Sequence, residues 1–275
     1  MQVDRGAFYR PEEIAKDVDE KFEKATDKSE PVEYITFVPD GEPTLDINLG
    51  GEIELLKPLG IKIAVITNAS LMWCDEVRNN LLKADWVSLK IDAVTDEIWH
   101  KINRPHKSLK LETILEGMLE FTDLFKGELA TETMLIQDIN DYDEEIGEIA
   151  DFLVELKPDK AYIAIPTRPP AEKWAKPAKE GVINMAFQVF AEKLGAERVE
   201  YLIGYEGNAF AFTGNIIRDL LSITAVHPMR KEAVEEFLKK ADADWQTIEK
   251  LLGEGRLVEL EYKGNTYYTR RFTGS

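Results

Sequence analysis

Short β-branched runs alternate with amphipathic segments through the first 206 residues, and this alternation limits the fold more than any other feature. Segment 61–67, IKIAVIT, is apolar apart from Lys62, which is typical of a parallel strand covered on both faces. Between such runs, apolar residues recur three or four positions apart, as in Ile14, Val18 and Phe22, which predicts helices. The predicted strands are Tyr34–Val38, Ile61–Thr67, Trp86–Ile91, Ala130–Ile136, Ala161–Ile165 and Val199–Gly204.

Repeated strand–helix units predict an α/β fold with a parallel sheet and right-handed crossovers. The segment after the first strand, PDGEPT, has one glycine and does not match the G-x-G-x-x-G pattern of open nucleotide-binding sheets. A G-x-x-x-x-G-K-[ST] loop is also absent from the sequence. We therefore predict a barrel-type sheet over about residues 1–215.

A second, smaller domain is predicted over residues 216–275. Asp244 is a plausible N-cap for its second helix, and Lys263-Gly264-Asn265 suits a hairpin turn. Two helices followed by a hairpin predict a winged-helix-like fold. The elements are Lys231–Lys240, Asp244–Gly253, Val258–Tyr262 and Thr266–Arg270.

The charge of −18, from 52 acidic and 34 basic residues, argues against nucleic acid as a partner of the body. The tail from Ile223 onward is neutral, with nine basic and nine acidic residues. We interpret it as a packing or partner-docking element, and tRNA or DNA binding is the less favoured alternative. The sequence has no apolar run of about 20 residues and no signal-peptide core, so we expect a cytoplasmic protein without a membrane partner.

Polar side chains collect where the predicted strands end, which is where ligands bind in parallel α/β folds. Ser88, Lys90 and Asp92 share one face of the third strand, because strand side chains alternate. A charged face pointing into a barrel is costly unless a polar group binds there, although a solvated edge strand would show the same pattern. The other strand-end candidates are Gly41, Glu42, Pro43, Thr67, Asn68, Arg104, Glu132, Asn140 and Arg168.

This ordered set resembles the radical S-adenosylmethionine (radical SAM) superfamily: G-E-P after one strand, T-N after the next and S-x-x-x-D-A on the third. More narrowly, YITFVPDGEPTLD, AVITNAS, VSLKIDA, KINRPH and IPTRPPAEKW are similar to the wyosine-synthase-like branch. The resemblance covers nearly the whole chain and implies an enzyme that cleaves S-adenosylmethionine reductively and abstracts hydrogen from a substrate, here of unknown identity.

The resemblance also implies roles for the strand-end residues. Residues 41–43, Gly-Glu-Pro, would meet the amino group of S-adenosylmethionine, and Thr67 and Asn68 would line the floor of the site. Ser88, Lys90 and Asp92 would face its ribose and carboxylate. The substrate candidates are Arg104 and Arg168, whose planar forks suit an anion, together with Glu132 and Asn140.

One departure from the superfamily concerns the iron–sulfur cluster. The family holds a [4Fe–4S] cluster on three cysteines spaced C-x-x-x-C-x-x-C after the first barrel strand, and this chain has only Cys74, which we interpret as a half-buried helix-start residue. We therefore expect a partial (βα)6 barrel without its first strand, a cluster only in a longer form of the protein, and an inactive chain as written. The missing strand would leave Tyr34–Val38 with a free edge, which favours self-association.

Other interpretations concern function and metal binding. A non-catalytic binding or adaptor protein on a degenerate barrel is the alternative to the enzyme. Three scattered histidines, His100, His106 and His227, share no metal-ligand spacing. The segment 140–143, Asn-Asp-Tyr-Asp, is better explained as a helix N-cap before Glu144–Leu156 than as a cation site.

Overall fold

The computed structural model describes residues 3–27, 32–38, 41–170, 172–203, 210, 212, 214–226, 228–262 and 264–271. The chain divides into two compact units, one of residues 1–166 with 174–203 and the other of residues 167–173 with 204–275. The predicted boundary between residues 215 and 216 stays a prediction. None of the described helices is long and apolar enough to cross a membrane.

The first unit contains a six-stranded parallel sheet in which each strand pairs with the next along the chain. A doubly wound sheet would reverse this order, so the sequential order confirms the prediction of a barrel-type α/β sheet. Each strand overlaps a predicted run, although the fourth begins two residues before its run. The strands are β1 (Tyr34–Phe37), β2 (Lys62–Thr67), β3 (Trp86–Lys90), β4 (Glu128–Met134), β5 (Lys160–Ala164) and β6 (Val199–Leu202).

Helices connect successive strands of this unit. The first begins at Pro11, where the missing amide hydrogen of proline removes no helical hydrogen bond. Cys74 is the half-buried N-cap residue of the third helix, as predicted. The helices are α1 (Pro11–Asp27), α2 (Leu49–Leu56), α3 (Asp75–Leu81), α4 (Asp96–Asn103), α5 (Leu111–Leu124), α6 (Asp143–Leu156) and α7 (Glu180–Leu194).

The two faces of the sheet differ in chemistry. Ile63, Val65 and Leu89 point to one face, are fully buried and join the core formed with the helices. Lys62 and Ile66 point to the other face and are exposed. On this second face the larger side chains of the next strands remain half-buried, and they include Trp86, Lys90, Glu132 and Tyr162. Charged groups placed here keep contact with water.

The predicted N-cap within residues 140–143 is confirmed in position, since the N-cap residue is Tyr142, and the helix begins at Asp143, one residue earlier than predicted. Helix α6 begins after Tyr142, which makes no side-chain capping hydrogen bond. The Asp141 carboxylate accepts a hydrogen bond from the Asp138 amide at 2.7 Å. Because Asp141 serves the preceding turn, it is not available to the helix.

The second unit contains a three-stranded antiparallel sheet in the order β7-β9-β8. The predicted helix Lys231–Lys240 and the hairpin are confirmed, and Lys263 of the predicted turn lies outside the described residues. The Asp244 carboxylate accepts from the Gln246 amide at 3.0 Å, and the N-cap residue is Trp245, one position later than predicted. The elements are α8 (Ile216–Val226), β7 (Met229–Arg230), α9 (Lys231–Lys240), α10 (Gln246–Gly253), β8 (Leu257–Tyr262) and β9 (Asn265–Arg270).

Candidate functional site

Glu42 lies in the loop after β1, and only 8% of the residue is exposed. Its Oε1 accepts from the Thr44 amide at 3.1 Å, the Thr44 hydroxyl at 2.7 Å and the Thr67 hydroxyl at 2.5 Å. Its Oε2 accepts from the Asn68 amide at 2.7 Å. Burial raises the pKa of Glu42, and these hydrogen bonds oppose the rise. The carboxylate thereby ties the loops after β1 and β2 together.

The residues around Glu42 shape the same two loops. Pro43 is buried and starts a 3-10 turn, whereas Gly41 is exposed and a Cβ built there would meet no atom within 4 Å. Asn68 is exposed, and its Oδ1 accepts from the Ser70 amide at 2.9 Å. Between them Ala69 has a φ of +60°, in the left-handed region that non-glycine residues rarely adopt. Backbone strain of this kind persists only where the surroundings enforce it.

A charged cluster lies at the ends of β3 and β4. Lys90 is paired with Glu132 in the sheet register, and its Nζ lies 2.8 Å from Glu132 Oε1 and 3.2 Å from Asp92 Oδ1. Burial would lower the pKa of Lys90, but the two carboxylates outweigh it and raise the pKa above its ordinary value. The ammonium therefore stays charged and suits ion pairing rather than proton transfer or nucleophilic attack. One cation between two carboxylates leaves the cluster with one net negative charge.

The Asp92 carboxylate is held from several sides and is 1% exposed. Its Oδ1 accepts from the Met134 amide at 2.9 Å, and its Oδ2 accepts from Asn103 Nδ2 at 3.2 Å. Asn140 is fully buried and braces the same point: its Nδ2 donates to the carbonyls of Asp92 and Met134 at 2.8 and 2.9 Å. Its Oδ1 accepts from the Ile136 amide at 2.7 Å. The Asn140 amide is thus committed to the fold.

The remaining predicted residues have different positions. Ser88 is buried on β3, between Ile66 and Ala130 in the register. Arg104 is exposed and ends α4 in a left-handed conformation with φ of +45°. Arg168 belongs to the second unit and is half-buried there. The structure brings Glu132 to the predicted cofactor residues, and the substrate roles of the two arginines stay predictions.

Three supporting residues were missed by sequence reasoning. Thr44 supplies two of the four donors to Glu42, and Asn103 holds Asp92 while its own buried Oδ1 has no hydrogen-bond partner among the residues that the structure describes. Glu145 on α6 is buried, and its carboxylate accepts from the Val94 amide at 3.1 Å and the Thr95 hydroxyl at 2.8 Å. Thr44 and Asn103 carried a signal, because they lie in the quoted YITFVPDGEPTLD and KINRPH motifs, whereas Glu145 lies in neither.

The side chains of this chain do not fit a cysteine-held iron–sulfur cluster. The 275 residues include one cysteine, and a single thiolate cannot anchor such a cluster. Within the part of the chain that the structure describes, no group of three or more His, Cys, Asp or Glu could hold a metal ion. His227 lies outside that part.

Comparison with known proteins extends these observations. The family model of the radical SAM superfamily matches residues 3–153. A UPF0026 protein of Methanocaldococcus jannaschii is 47% identical over 268 residues, which cover 98% of this chain and 83% of that protein. The structure of Streptococcus suis SuiB bound to S-adenosylmethionine is similar to this chain, with a TM-score of 0.53 at 17% identity. The match covers 70% of this chain and 43% of the SuiB chain.

Archaeal TYW1 is a further structural neighbour, with a TM-score of 0.51 at 16% identity over 70% of this chain and 66% of that one. At such identities the likeness shows the fold alone. The fold is the partial α/β barrel of radical SAM enzymes, with its polar residues at the carboxyl ends of the strands. The chain belongs to the radical SAM superfamily, and its resemblance to that superfamily is confirmed.

Proposed function

We propose that the strand-end cluster binds S-adenosylmethionine. The observation that carries the proposal is the Lys90–Asp92–Glu132 cluster, which lies at the strand ends of a radical SAM fold and has one net negative charge. A sulfonium ligand that also carries an ammonium and a carboxylate needs both signs of charge at close range. Lys90 would meet the carboxylate and Glu132 would accept from a ribose hydroxyl, while the buried Asp92, whose two oxygens are engaged by protein donors, would position Lys90.

The loops after β1 and β2 would form the other wall of this site. Both oxygens of the Glu42 carboxylate are already engaged by protein donors, so we propose that Glu42 positions these loops. The ligand's amino group would then meet main-chain carbonyls near Gly41 and the Asn68 side chain. Ser88 would contact the ribose region from β3.

Because this chain has one cysteine and a cluster needs three, we propose one function for a form that has the cluster cysteines and another for this chain. In a form that carries three cluster cysteines, the protein is proposed to be a radical SAM enzyme, which cleaves S-adenosylmethionine reductively and abstracts hydrogen from an unidentified small molecule, protein or peptide. The exposed Arg104 would favour an anionic substrate, and the substrate role of Arg168 stays a prediction. The 275-residue chain with its one cysteine is proposed to bind S-adenosylmethionine without cleaving it.

The alternative proposal is a non-catalytic binding or adaptor protein, and the single cysteine is the observation that favours it. Two surfaces of the chain would bind the partners of such a protein. Among the described residues the outer strand β1 pairs on one side only, with β2, which would allow self-association. The second unit has the element order of a winged helix and a nearly neutral tail, so we propose that it docks a protein partner rather than nucleic acid.

Calorimetric titration of the chain with S-adenosylmethionine tests the proposed site. Glu132→Gln should weaken binding by about tenfold, because it removes the charged acceptor proposed for a ribose hydroxyl. Glu128→Gln is the matched control, since Glu128 lies on the same strand and face but at the opposite end. Equal affinities for all three proteins, or no binding by the parent chain, would refute the site.

A second measurement separates the enzyme from the binder. The chain is incubated anaerobically with iron, sulfide, dithionite and S-adenosylmethionine, and deoxyadenosine is assayed by chromatography. We expect binding without deoxyadenosine. Deoxyadenosine above the level of a protein-free control would contradict the proposal for this chain and favour the enzyme.

A further inference from the structure

A cavity of about 510 Å³ lies in the first unit, away from the charged strand-end cluster. Its size is within the range of about 300–1,000 Å³ that is usual for small-molecule sites. The Lys90, Asp92 and Glu132 side chains do not line it. The walls are mostly aliphatic and aromatic and come from α1, β1 and α2, including Ile14, Val18, Ile35, Phe37, Leu49 and Leu56.

One buried carboxylate oxygen in this wall has no hydrogen-bond partner in the described part of the chain. Glu52 on α2 is 3% exposed, and its Oε1 has no hydrogen-bond partner among the described residues. Burial and the nearby charge of Asp46 raise the pKa of Glu52 to about 7. A buried carboxylate oxygen without a donor costs free energy that a ligand donor would recover.

The second carboxylate of the cavity differs from Glu52 because it is already satisfied. Asp46 Oδ1 accepts from the Asn48 amide at 2.8 Å, and Oδ2 accepts from the Tyr9 amide at 3.3 Å. Its negative charge still acts on the cavity, since it contributes to the raised pKa of Glu52. A cation near Glu52 would therefore be attracted by two carboxylates.

The mouth of the cavity carries aromatic side chains. Phe8 and Tyr9 both line it, and they are 50% and 60% exposed. Aromatic faces attract ammonium groups and provide apolar contact area for a small ligand. The cavity thus combines apolar walls, aromatic rings and one unpaired acceptor.

We propose that this cavity is a second binding site, for a small amphipathic amine whose ammonium group pairs with Glu52 and whose apolar body fills the space between α1, β1 and α2. The site goes beyond the proposed S-adenosylmethionine site and does not depend on it. Gly41, Glu42 and Pro43 of the proposed S-adenosylmethionine site also line the cavity, but the Glu42 carboxylate is engaged by Thr44, Thr67 and Asn68, and Lys90, Asp92 and Glu132 do not line it. The two sites can therefore be tested separately.

The test is a calorimetric titration at about pH 8, above the pKa of Glu52 of about 7, with n-hexylamine and the uncharged match n-hexanol. The parent chain should bind hexylamine about tenfold more tightly than hexanol, because only the ammonium can pair with the ionised carboxylate. Glu52→Gln should lose that preference and keep hexanol binding. Glu54→Gln is the matched control, since Glu54 is on the same helix but is exposed and paired with Lys83.

A cavity-filling variant, Val18→Trp, should abolish the binding of both ligands while the far-UV circular dichroism stays that of the parent. Failure of the parent chain to bind hexylamine would overturn the proposal, as would equal binding of hexylamine and hexanol. An unchanged preference in Glu52→Gln would also overturn it. Sedimentation of the parent chain as a dimer, with Val18→Trp a monomer, would assign the cavity to a second copy instead. Loss of S-adenosylmethionine binding in Glu132→Gln has no bearing on any of these results.

Discussion

Two buried glutamates in the first unit, Glu42 and Glu52, occupy opposite chemical situations. Glu42 is 8% exposed and accepts four hydrogen bonds that join the loops after β1 and β2. Glu52 is 3% exposed and one of its oxygens has no partner. Burial raises the pKa of both, but only at Glu42 do hydrogen bonds oppose the rise. The supply of donors thus separates a carboxylate that organises a site from one that is available to a ligand.

The largest expected effect comes from removing the satisfied carboxylate. Glu42→Ala should lower the free energy of unfolding by about 3–5 kcal/mol, because four donors at the strand ends lose their acceptor. Urea denaturation followed by circular dichroism measures it. Glu42→Gln keeps one acceptor oxygen and should lose less. A loss below about 1 kcal/mol for Glu42→Ala would mean that the four bonds do not hold the loops.

The next effect has the opposite sign and depends on pH. The pKa of Glu52 rises from 4.5 to about 7 on folding, so the folded state holds a proton that the unfolded state releases, and stability falls as the pH rises between these values. Above that window Glu52→Gln should stabilise the protein by roughly 2–3 kcal/mol. Below pH 4.5 the parent chain and Glu52→Gln should have the same stability. Thermal unfolding across this pH range checks the prediction, and a pH-independent difference would contradict it.

A third substitution tests the charged cluster that Glu42 does not touch. Lys90→Met should lower the free energy of unfolding by about 1–2 kcal/mol at neutral pH, since Asp92 and Glu132 would face each other without a cation. Because the pKa of Lys90 is raised, its contribution is complete below its ordinary value of 10.5 and declines only at higher pH. The difference between the parent chain and Lys90→Met should therefore be the same at neutral pH and at about pH 10, and urea denaturation at both pH values measures it.

The same variant has a binding readout. Lys90→Met should weaken S-adenosylmethionine binding by at least about tenfold, because the ligand carboxylate loses its counter-ion. Glu52→Gln should leave that binding unchanged. If Glu52→Gln weakened it equally, the two regions would be one site and the contrast between them would fail.

The smallest expected effect provides a reference outside both regions. Lys157 ends α6 in a left-handed conformation with φ of +55° and is exposed. Lys157→Gly should stabilise the protein by about 0.5–1 kcal/mol, because glycine adopts this conformation without strain. Urea denaturation measures it, and a destabilised variant would show that the lysine side chain contributes more than the backbone does.

Much of the fold could be predicted from the sequence, because apolar periodicity reports burial directly. The strand containing IKIAVIT was placed within one residue, since its apolar run coincides with the pairing to its neighbours. The fourth strand was displaced toward its carboxyl end, since Leu135 and Ile136 follow the strand but are also buried. Periodicity identifies burial and does not distinguish a strand from the buried loop after it.

The candidate site could be predicted in position but not in its hydrogen bonding. Alternation placed Lys90 and Asp92 on one face, and the register then added Glu132 from the next strand. The role of Asn140 as a brace and the two donors to Glu42 from the loop after β2, Thr67 and Asn68, depend on contacts between segments distant in sequence. Glu52 has the sequence context of an ordinary acidic residue in a helix. Its burial therefore became evident only from the structure.

The partly exposed face of the sheet, which carries Lys62 and Ile66, affects the heat capacity change of unfolding. Unfolding adds little newly hydrated surface there, since Lys62 and Ile66 are already exposed in the folded state. The larger side chains beside them, such as Trp86, Lys90 and Glu132, are only half-buried. Apolar exposure raises the heat capacity of unfolding and polar exposure lowers it. The heat capacity change per residue should therefore lie below that of a closed barrel with an apolar interior. The curve of stability against temperature would then be broad and shallow, and cooling would weaken the fold only slightly.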